Sequence, residues 1–302
     1  MNYRECLLGL VLAGVLAPTA QARGDDSETL RFQVAAHVQA HADPQQDGSI
    51  VVQLSPSGKR QRLEGAADAD GNSRWSLEDV DFDGYPELVA RASVGMVNEA
   101  VAVYRFDPAS AGFRALQADT HGKDSCGDLM GLSVDAATRT LTSSCRSGPM
   151  WYADQYRFAG AKLYLYRSES VLMLGDTVNA ALQWEQTDEQ GPLAVWRTYD
   201  PAGRALETAI ADGLGAPPDG PLRGQQATVV PARLFLFDRP GASSTKRYLV
   251  QGDRVEMLDE QDGWMKLRYR NPKQGAVVGW INVNDRRKKG TEGIKSFVPL
   301  TT

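Results

Sequence analysis

In the stretch Ala100-Val101-Ala102-Val103-Tyr104-Arg105-Phe106, similar side chains recur at every second residue rather than at the spacing of a helix. The earlier stretch Leu88-Val89-Ala90-Arg91-Ala92 behaves in the same way. Side chains of a strand point alternately to its two faces, so a period of two is typical of β-structure. Because similar stretches recur from residue 27 to about residue 210, we expect an all-β domain there.

Short turn sequences rich in Asp, Pro, Ala and Gly separate these apolar stretches. They lie at residues 107–112, 135–139, 159–162 and 200–204. Such residues form the connections of hairpins. Their recurrence at roughly 25 to 40 residues indicates a repeated hairpin unit, as in a propeller blade, or else a meandering antiparallel sheet that reuses similar turns. Residues 171–182 have apolar spacing that suits one helix.

The composition changes at residues 211–223, which are rich in Gly and Pro and predict a linker. Five apolar stretches follow and predict short strands at residues 228–237, 247–249, 254–258, 264–269 and 277–283. So many short strands in residues 224–285 indicate a small barrel. Residues 286–302 begin with four consecutive cations and predict a solvated basic tail.

Length and charge limit the classes of function. A chain of 302 residues with 42% hydrophobic content can bury a sizeable core and suits about two domains. The net charge of −5 provides no long-range attraction for nucleic acid or anionic membranes. We expect neither as a partner.

Residues 1–22 have the pattern of a cleaved secretory signal. Arg4 precedes an apolar stretch at residues 7–16, and Ala20-Gln21-Ala22 supplies small residues for cleavage. A membrane anchor is the alternative, but the apolar stretch is shorter than the roughly 20 residues that span a bilayer. The prediction is a periplasmic protein that is not membrane-bound after cleavage and in which residues 23–210 form the first domain.

Two cysteines remain after that cleavage, Cys126 and Cys145. Thiols normally pair in an oxidising compartment, which predicts one disulfide. The alternative is a reactive or metal-binding cysteine, for which His121 is the nearby basic partner.

Residues 79–87, Asp79-Val80-Asp81-Phe82-Asp83-Gly84-Tyr85-Pro86-Glu87, form the most specific motif of the chain. Carboxylates at positions 1, 3, 5 and 9, with Gly at position 6, can wrap a hard cation such as Ca²⁺, which takes six to eight oxygens at about 2.4 Å. The predicted ligands are Asp79, Asp81, Asp83, Glu87 and the carbonyl of Tyr85. The alternative is an acidic surface turn that binds nothing. A similar stretch at residues 67–72 lacks the later acids and predicts only a turn.

No pattern in the sequence points to a catalytic nucleophile, a zinc site or a phosphate loop, and we therefore expect a protein without enzymatic activity. His37 and His41 have zinc-like spacing only within a helix, and they lack the accompanying Glu of the metalloprotease motif. Carboxylates that converge from distant strands are the alternative, which leaves an unrecognised hydrolase open.

The acidic loop, the hairpin that follows it through Phe113, and the segment Ser144-Cys145-Arg146-Ser147-Gly148-Pro149-Met150-Trp151-Tyr152 together resemble bacterial periplasmic proteins with an FG-GAP-like calcium domain. The loop is followed by a strand, as in those proteins, and lacks the Glu at position 12 of a helical calcium hand. The resemblance implies a calcium-binding domain. Some members of that family inhibit peptidoglycan hydrolases, including effectors delivered by type IV secretion, so the resemblance also implies an inhibitory role.

The C-terminal part resembles bacterial SH3-like domains through Val250-Gln251-Gly252-Asp253-Arg254-Val255, Asp262-Gly263-Trp264-Met265-Lys266-Leu267 and Gly279-Trp280-Ile281. Such domains bind cell-wall peptides or act as interaction modules. Residues 234–240 depart from the family pattern, so the ligand preference does not carry over. Trp264, Trp280 and Tyr269 are candidates for a partner-binding face, and the alternative is that they fill the small core.

These observations predict an exported binding protein with a structural calcium site. Its expected role is an inhibitor or immunity protein whose partner is a peptidoglycan hydrolase or secreted effector. The alternatives are a protein that recognises peptidoglycan itself and an unrecognised carboxylate hydrolase.

Overall fold

The computed structural model describes residues 29–127, 129–185 and 190–283. The predicted signal peptide at 1–22 and basic tail at 286–302 lie outside these ranges. The described chain is all-β apart from one short helix, α1 (Asp176–Ala181). The strands, in chain order, are β1 (Leu30–Ala35), β2 (Val38–Pro44), β3 (Ile50–Ser55), β4 (Arg60–Leu63), β5 (Arg74–Glu78), β6 (Glu87–Val94), β7 (Asn98–Asp107), β8 (Gly112–Ala115), β9 (Ala118–Asp119), β10 (Ser133–Asp135), β11 (Thr140–Ser147), β12 (Met150–Ala159), β13 (Lys162–Val171), β14 (Leu182–Gln183), β15 (Leu193–Tyr199), β16 (Ala205–Asp212), β17 (Gln226–Val229), β18 (Arg233–Phe235), β19 (Tyr248–Val250), β20 (Arg254–Gln261), β21 (Trp264–Asn271) and β22 (Gly275–Asn282).

The first eight strands form two antiparallel meanders of four strands each, β1-β2-β3-β4 and β5-β6-β7-β8. The alternating residues Ile50, Val52 and Leu54 of β3 are buried, as a period of two requires. They share one core with Leu88 of β6 and Phe113 of β8, which joins the two sheets. The predicted strands at 88–92 and 100–106 are thereby confirmed, and the turn at 107–112 connects β7 to β8.

The third sheet has the order β10-β11-β12-β13-β15-β16, and β9 pairs in parallel with β13. The predicted turns at 135–139, 159–162 and 200–204 connect its hairpins. Asp200 illustrates the chemistry, because its carboxylate accepts hydrogen bonds from the backbone amides of Ala202 and Arg204. This sheet packs against β6 and β7 through a cluster that includes Val89, Val103, Leu141 and Leu165.

The helix predicted over 171–182 is confirmed only for its second half. Val171 ends β13, α1 occupies Asp176–Ala181, and Leu182 begins β14. The apolar residues that suggested one helix are therefore divided among the end of β13, the segment after it, α1 and the start of β14. Val178 of α1 and Leu182 of β14 are buried in the core of the next sheet, and Leu172 and Leu174 pack against it.

The C-terminal strands form a five-stranded sheet, β14-β17-β20-β21-β22, and a two-stranded ribbon, β18-β19. All five predicted strand regions contain strands. The stretch 228–237 divides into β17 and β18 at Pro231, which has no N–H to donate to a ladder.

One hydrophobic cluster spans the predicted boundary between the two domains. It unites Leu193, Val195 and Ile210 with Val229, Met257 and other C-terminal residues. The predicted linker, residues 211–223, includes the end of β16 at Asp212. Later in this segment, the carbonyls of Pro217, Pro218 and Gly220 accept hydrogen bonds from the buried Arg167 of β13. The segment is thus held against the third sheet, while the division of the chain into domains stays a prediction.

Within the described ranges, no helix has the length and apolar character needed to cross a membrane.

Candidate metal centre

The acidic motif connects β5 to β6. The pairing of these two strands ends at Glu78 and Glu87, which lie opposite each other. The two apolar residues of the motif anchor it. Val80 is fully buried in the cluster formed with β7 and the third sheet, and Phe82 packs edge-on against Phe158 with 6.5 Å between ring centroids. The loop is therefore fixed to the interior by alternate side chains, which leaves the intervening acids on its other side.

Three of the predicted ligands converge. One carboxylate oxygen each from Asp79, Asp81 and Glu87 lies within 4.8 Å of the other two, a spacing at which they can hold one metal ion. Asp79 is exposed, Asp81 is half-buried and Glu87 is buried. A hard cation matches this donor set, because all the grouped side-chain donors are carboxylate oxygens.

Backbone amides hold the three carboxylates in place. Glu87 Oε2 accepts hydrogen bonds from the amides of Val80 at 2.7 Å and Asp81 at 3.3 Å. Asp79 accepts from Asp83 N at 3.1 Å and Gly84 N at 3.2 Å. The first acid thus binds the middle of the loop and the last acid binds its start, so the chain curves around the cluster.

Two residues with positive φ produce this curvature. Gly84 has φ 89° and Phe82 has φ 63°. Gly adopts that region freely, whereas Phe carries a steric cost there, and the Phe82 ring packs against Phe158. The Gly at position 6 of the motif therefore has the role that the sequence predicted for it.

Asp83 is not one of the three carboxylates that converge. Asp83 is exposed, and its Oδ1 accepts a hydrogen bond from the Tyr85 amide at 2.8 Å. Their roles as a side-chain ligand and a carbonyl ligand stay predictions.

The electrostatics of the loop favour an added positive charge. The pKa of Glu87 is raised to about 8, chiefly by burial and also by the charges of Asp81 and Asp83, while the hydrogen bonds from Val80 and Asp81 oppose the shift. The pKa of Asp81 is also raised, by burial and by Asp83, although Arg105 lies 3.2 Å away and opposes the effect. One arginine thus faces several carboxylates, and a divalent cation would stabilise their ionised forms.

The second acidic stretch is a turn, as predicted. Asp68 Oδ1 accepts hydrogen bonds from the amides of Asp70 at 2.9 Å and Asn72 at 2.8 Å. These bonds lower the pKa of Asp68 below its ordinary value. Its acid is satisfied by its own backbone.

The predicted disulfide between Cys126 and Cys145 is confirmed, so neither residue is a free thiol. It ties the segment between β9 and β10 to β11. The histidine pair has no zinc geometry, because His37 lies in the turn after β1 and His41 lies in β2, where the required helix is absent.

The candidate partner-binding tryptophans are buried. Trp264 is 9% exposed and packs edge-on against Phe237, and Trp280 is 7% exposed with Lys266 Nζ 5.6 Å from its ring. Their burial favours the alternative, in which they fill the core. Both belong to strands whose neighbouring residues are also buried, so the period of two did not distinguish an inward face from an outward one.

Tyr269 is partly buried against the hydrophobic cluster of the C-terminal sheet, and it also lines a groove of about 720 Å³ on that sheet. Four arginines share the lining, namely Arg223, Arg254, Arg268 and Arg270. Arg268 pairs with Glu256 at 2.9 Å. No motif in the sequence predicted this groove, although the alternation of Arg268 and Arg270 along β21 places both on one face of the strand.

A scan against protein-family models and a search of curated proteins both find no match for this chain. The resemblances to FG-GAP-like and SH3-like proteins therefore stay hypotheses that rest on the motifs. What the geometry itself supplies is a three-carboxylate centre able to hold a metal ion, built on a loop that is anchored in the core.

Proposed function

We propose that this protein is an exported, calcium-stabilised binding protein that inhibits a peptidoglycan hydrolase, as an immunity protein does. In this proposal the N-terminal part is a propeller-like FG-GAP-type domain and the C-terminal part is an SH3-like barrel. The observation that carries the proposal is the convergence of Asp79, Asp81 and Glu87 at the start of β6.

Calcium suits the loop better than magnesium does. Calcium accepts six to eight oxygens in flexible geometry, and a short acidic loop can add backbone carbonyls and water to its carboxylates. Magnesium requires a strict octahedron and keeps most of its waters. Exported modules commonly bind calcium with Kd values of about 10⁻⁴ to 10⁻³ M, which suits a site with one exposed side.

The ion has a structural role in this proposal. Glu87 is 3% exposed and is held by two backbone amides, and Val80 fixes the loop to the core beneath it. A cation there links the end of β5 to the start of β6 and leaves its ligands little freedom. This arrangement supports the presentation of neighbouring loops to a partner.

Export is supported by the Cys126–Cys145 disulfide, because disulfides persist mainly in oxidising compartments. The periplasm is the proposed location. The identity of the partner rests on the resemblance of the loop and of residues 144–152 to the inhibitor family.

The experiment is an inhibition assay in excess Ca²⁺ with purified peptidoglycan as substrate. The enzymes are a lysozyme, a lytic transglycosylase and an N-acetylmuramoyl-amidase. We expect slower hydrolysis by at least one of them. Absence of inhibition across the set would contradict the proposal. Hydrolysis of peptidoglycan by this protein alone would instead support the carboxylate hydrolase.

Recognition of peptidoglycan is the second candidate function, and the arginine-lined groove around Tyr269 favours it. Peptide stems of peptidoglycan carry carboxylates, which guanidinium groups bind well, and Tyr269 offers a ring for packing. Sedimentation with purified peptidoglycan tests this function. We expect Arg270→Glu to reduce the bound fraction severalfold if the groove binds the wall. Equal sedimentation of the variant and the wild type would exclude the groove.

A further inference from the structure

Two hairpins end side by side with large apolar side chains in solvent. The first, between β6 and β7, carries Met96 at 99% and Val97 at 47% exposure. The second, between β11 and β12, carries Trp151 at 42% exposure. We call residues 94–98 and 146–151 together the paired tips.

Hydrogen bonds join the two tips directly. The Asn98 side-chain amide donates to the Arg146 carbonyl at 3.0 Å, and its Oδ1 accepts from the Arg146 amide at 2.7 Å. Asn98 closes its hairpin opposite Val94, and Arg146 pairs with Trp151. The bridge therefore lies near the outer ends of both hairpins and holds these ends side by side.

The bases of the hairpins are also fixed. The amide of Gly131 donates to the Glu99 carbonyl at 2.8 Å, and the amide of Ser144 donates to the Met130 carbonyl at 2.8 Å. Residue 145, next to Arg146, is held by the disulfide to Cys126. Pro149 limits the backbone freedom of the second tip. A surface that is rigid before binding loses little conformational entropy when a partner arrives.

The paired tips carry one charged side chain, the exposed Arg146. The Arg146 guanidinium lies 6.0 Å from the centroid of the Trp151 ring, and its Nε donates to the Gly148 carbonyl. Within the described part of the chain, no carboxylate forms an ion pair with Arg146, whereas Arg74 and Arg91 nearby both pair with Glu99. Aromatic residues, Met and Arg are the types enriched in the centres of protein interfaces.

We propose that the paired tips enter the catalytic cleft of a glycan-cleaving murein hydrolase, with Met96 and Trp151 on the apolar sugar-binding walls and Arg146 facing the catalytic carboxylates. Glycosidases of most families use a pair of Asp or Glu side chains in such a cleft, which complements one unpaired arginine. This inference rests on the proposed function and names both its contact surface and the chemistry of its partner.

The test compares variants in the peptidoglycan assay in excess Ca²⁺. The paired tips are changed by Met96→Asp, Trp151→Ala and Arg146→Glu. The matched control is Met173→Asp, because Met173 is 90% exposed but lies outside the tips, in the segment after β13. We expect each tip variant to raise the inhibition constant against the lysozyme or the transglycosylase at least tenfold, and the control to leave it unchanged.

The outcomes separate this inference from the proposed function. Inhibition that all three tip variants retain, or inhibition of the amidase alone, would overturn the paired tips as the binding surface and leave the inhibitory function standing. If the wild type inhibits none of the enzymes, the proposed function fails and this inference fails with it. Sedimentation equilibrium adds one further outcome, since a dimer that Met96→Asp dissociates would assign the tips to a second copy of the chain instead.

Discussion

Glu87 Oε2 accepts a hydrogen bond from the amide of Val80 at 2.7 Å, so the last acid of the loop is tied to its second residue. The same carboxylate belongs to the three-carboxylate centre, and it lies at the first position of β6. Binding of a cation is therefore coupled to the pairing of β5 with β6.

We expect excess Ca²⁺ to raise the melting temperature, because an ion bound only by the folded state stabilises it. At a free concentration of about 100 times the Kd, the gain is about 2.7 kcal/mol, or roughly 5–10 °C for a domain of this size. Asp79→Asn removes one charged ligand and should abolish most of the response. Differential scanning calorimetry measures the shift after prior removal of tightly bound metal.

Asp68→Asn is the matched control for that measurement, since Asp68 also accepts backbone amides but belongs to a turn without converging acids. Its calcium response should equal that of the wild type. Equal curves for Asp79→Asn and the wild type in excess Ca²⁺ would argue against the metal centre. Asp81→Ala should abolish the response as well, but it also removes the ion pair with Arg105.

The disulfide closes a short loop, because its cysteines have a sequence separation of 19. A double Cys126→Ala, Cys145→Ala variant should lose about 3 kcal/mol of unfolding free energy, because the unfolded chain regains the freedom that the bond removes. Urea denaturation measures this loss. Hydrogen exchange at residues 144–146 should also accelerate, and unchanged exchange there would contradict a role for the bond in fixing the second hairpin.

Arg167 is fully buried and forms hydrogen bonds with the segment that precedes β17. Its guanidinium donates to Thr198 Oγ1 and to the carbonyls of Pro217, Pro218 and Gly220. Lysine cannot reach all of these acceptors from one nitrogen, so Arg167→Lys should lower the unfolding free energy by about 3 kcal/mol. Limited proteolysis should then cut between residues 212 and 224. The exposed Arg233→Lys is the control, and equal protection of the two variants would refute the expectation.

Glu169 predicts how stability depends on pH. It is 5% exposed, its Oε1 accepts a hydrogen bond from the Ala153 amide, and burial, with smaller effects from Asp154 and Asp212, raises its pKa to about 8. The folded protein therefore keeps a proton that the unfolded chain releases near its ordinary pKa. Stability from this group is fully present below that ordinary value and is lost as the pH rises toward 8.

Glu169→Gln cannot ionise and still accepts the Ala153 hydrogen bond, so it should lose less stability than the wild type between pH 5 and pH 8. For each pH unit, the unfolding free energies of the variant and the wild type should diverge by at most about 1.4 kcal/mol. Urea denaturation at several pH values in excess Ca²⁺ measures this divergence. Glu64→Gln, whose wild-type side chain is 79% exposed, should follow the wild type. A parallel pH profile for Glu169→Gln would contradict the prediction.

Local patterns predicted the features that a few consecutive residues determine. Acids at alternate positions before a strand indicated the convergence of Asp79, Asp81 and Glu87, and Asp-Pro and Gly turns indicated the hairpins. The period of two in the apolar stretches sufficed to predict the all-β fold class. Such features depend on neighbours in sequence, whose geometry the backbone constrains.

Features that depend on distant residues were not predicted. Asn98 and Arg146 are 48 positions apart, and Arg167 lies 53 positions from Gly220. No local periodicity encodes such contacts. The Gly- and Pro-rich composition of 211–223 suggested a free linker, yet a buried arginine supplies the hydrogen bonds that hold part of it. Trp264 and Trp280 had an ambiguous role because a strand pattern does not tell which face a neighbouring sheet covers.

The hydrophobic cluster that spans residues 178–283 determines how this chain can be divided. A fragment that begins at residue 224 would lack Leu193, Val195 and Ile210 and would expose the apolar surface that they cover. We therefore expect that the C-terminal strands would not fold independently when the chain is cut at that boundary. A cut near residue 172 would keep this cluster together but would separate β13 from β15 and remove Arg167. Gene fusions or domain exchanges that preserve the packing should therefore keep the third sheet together with the last sheet.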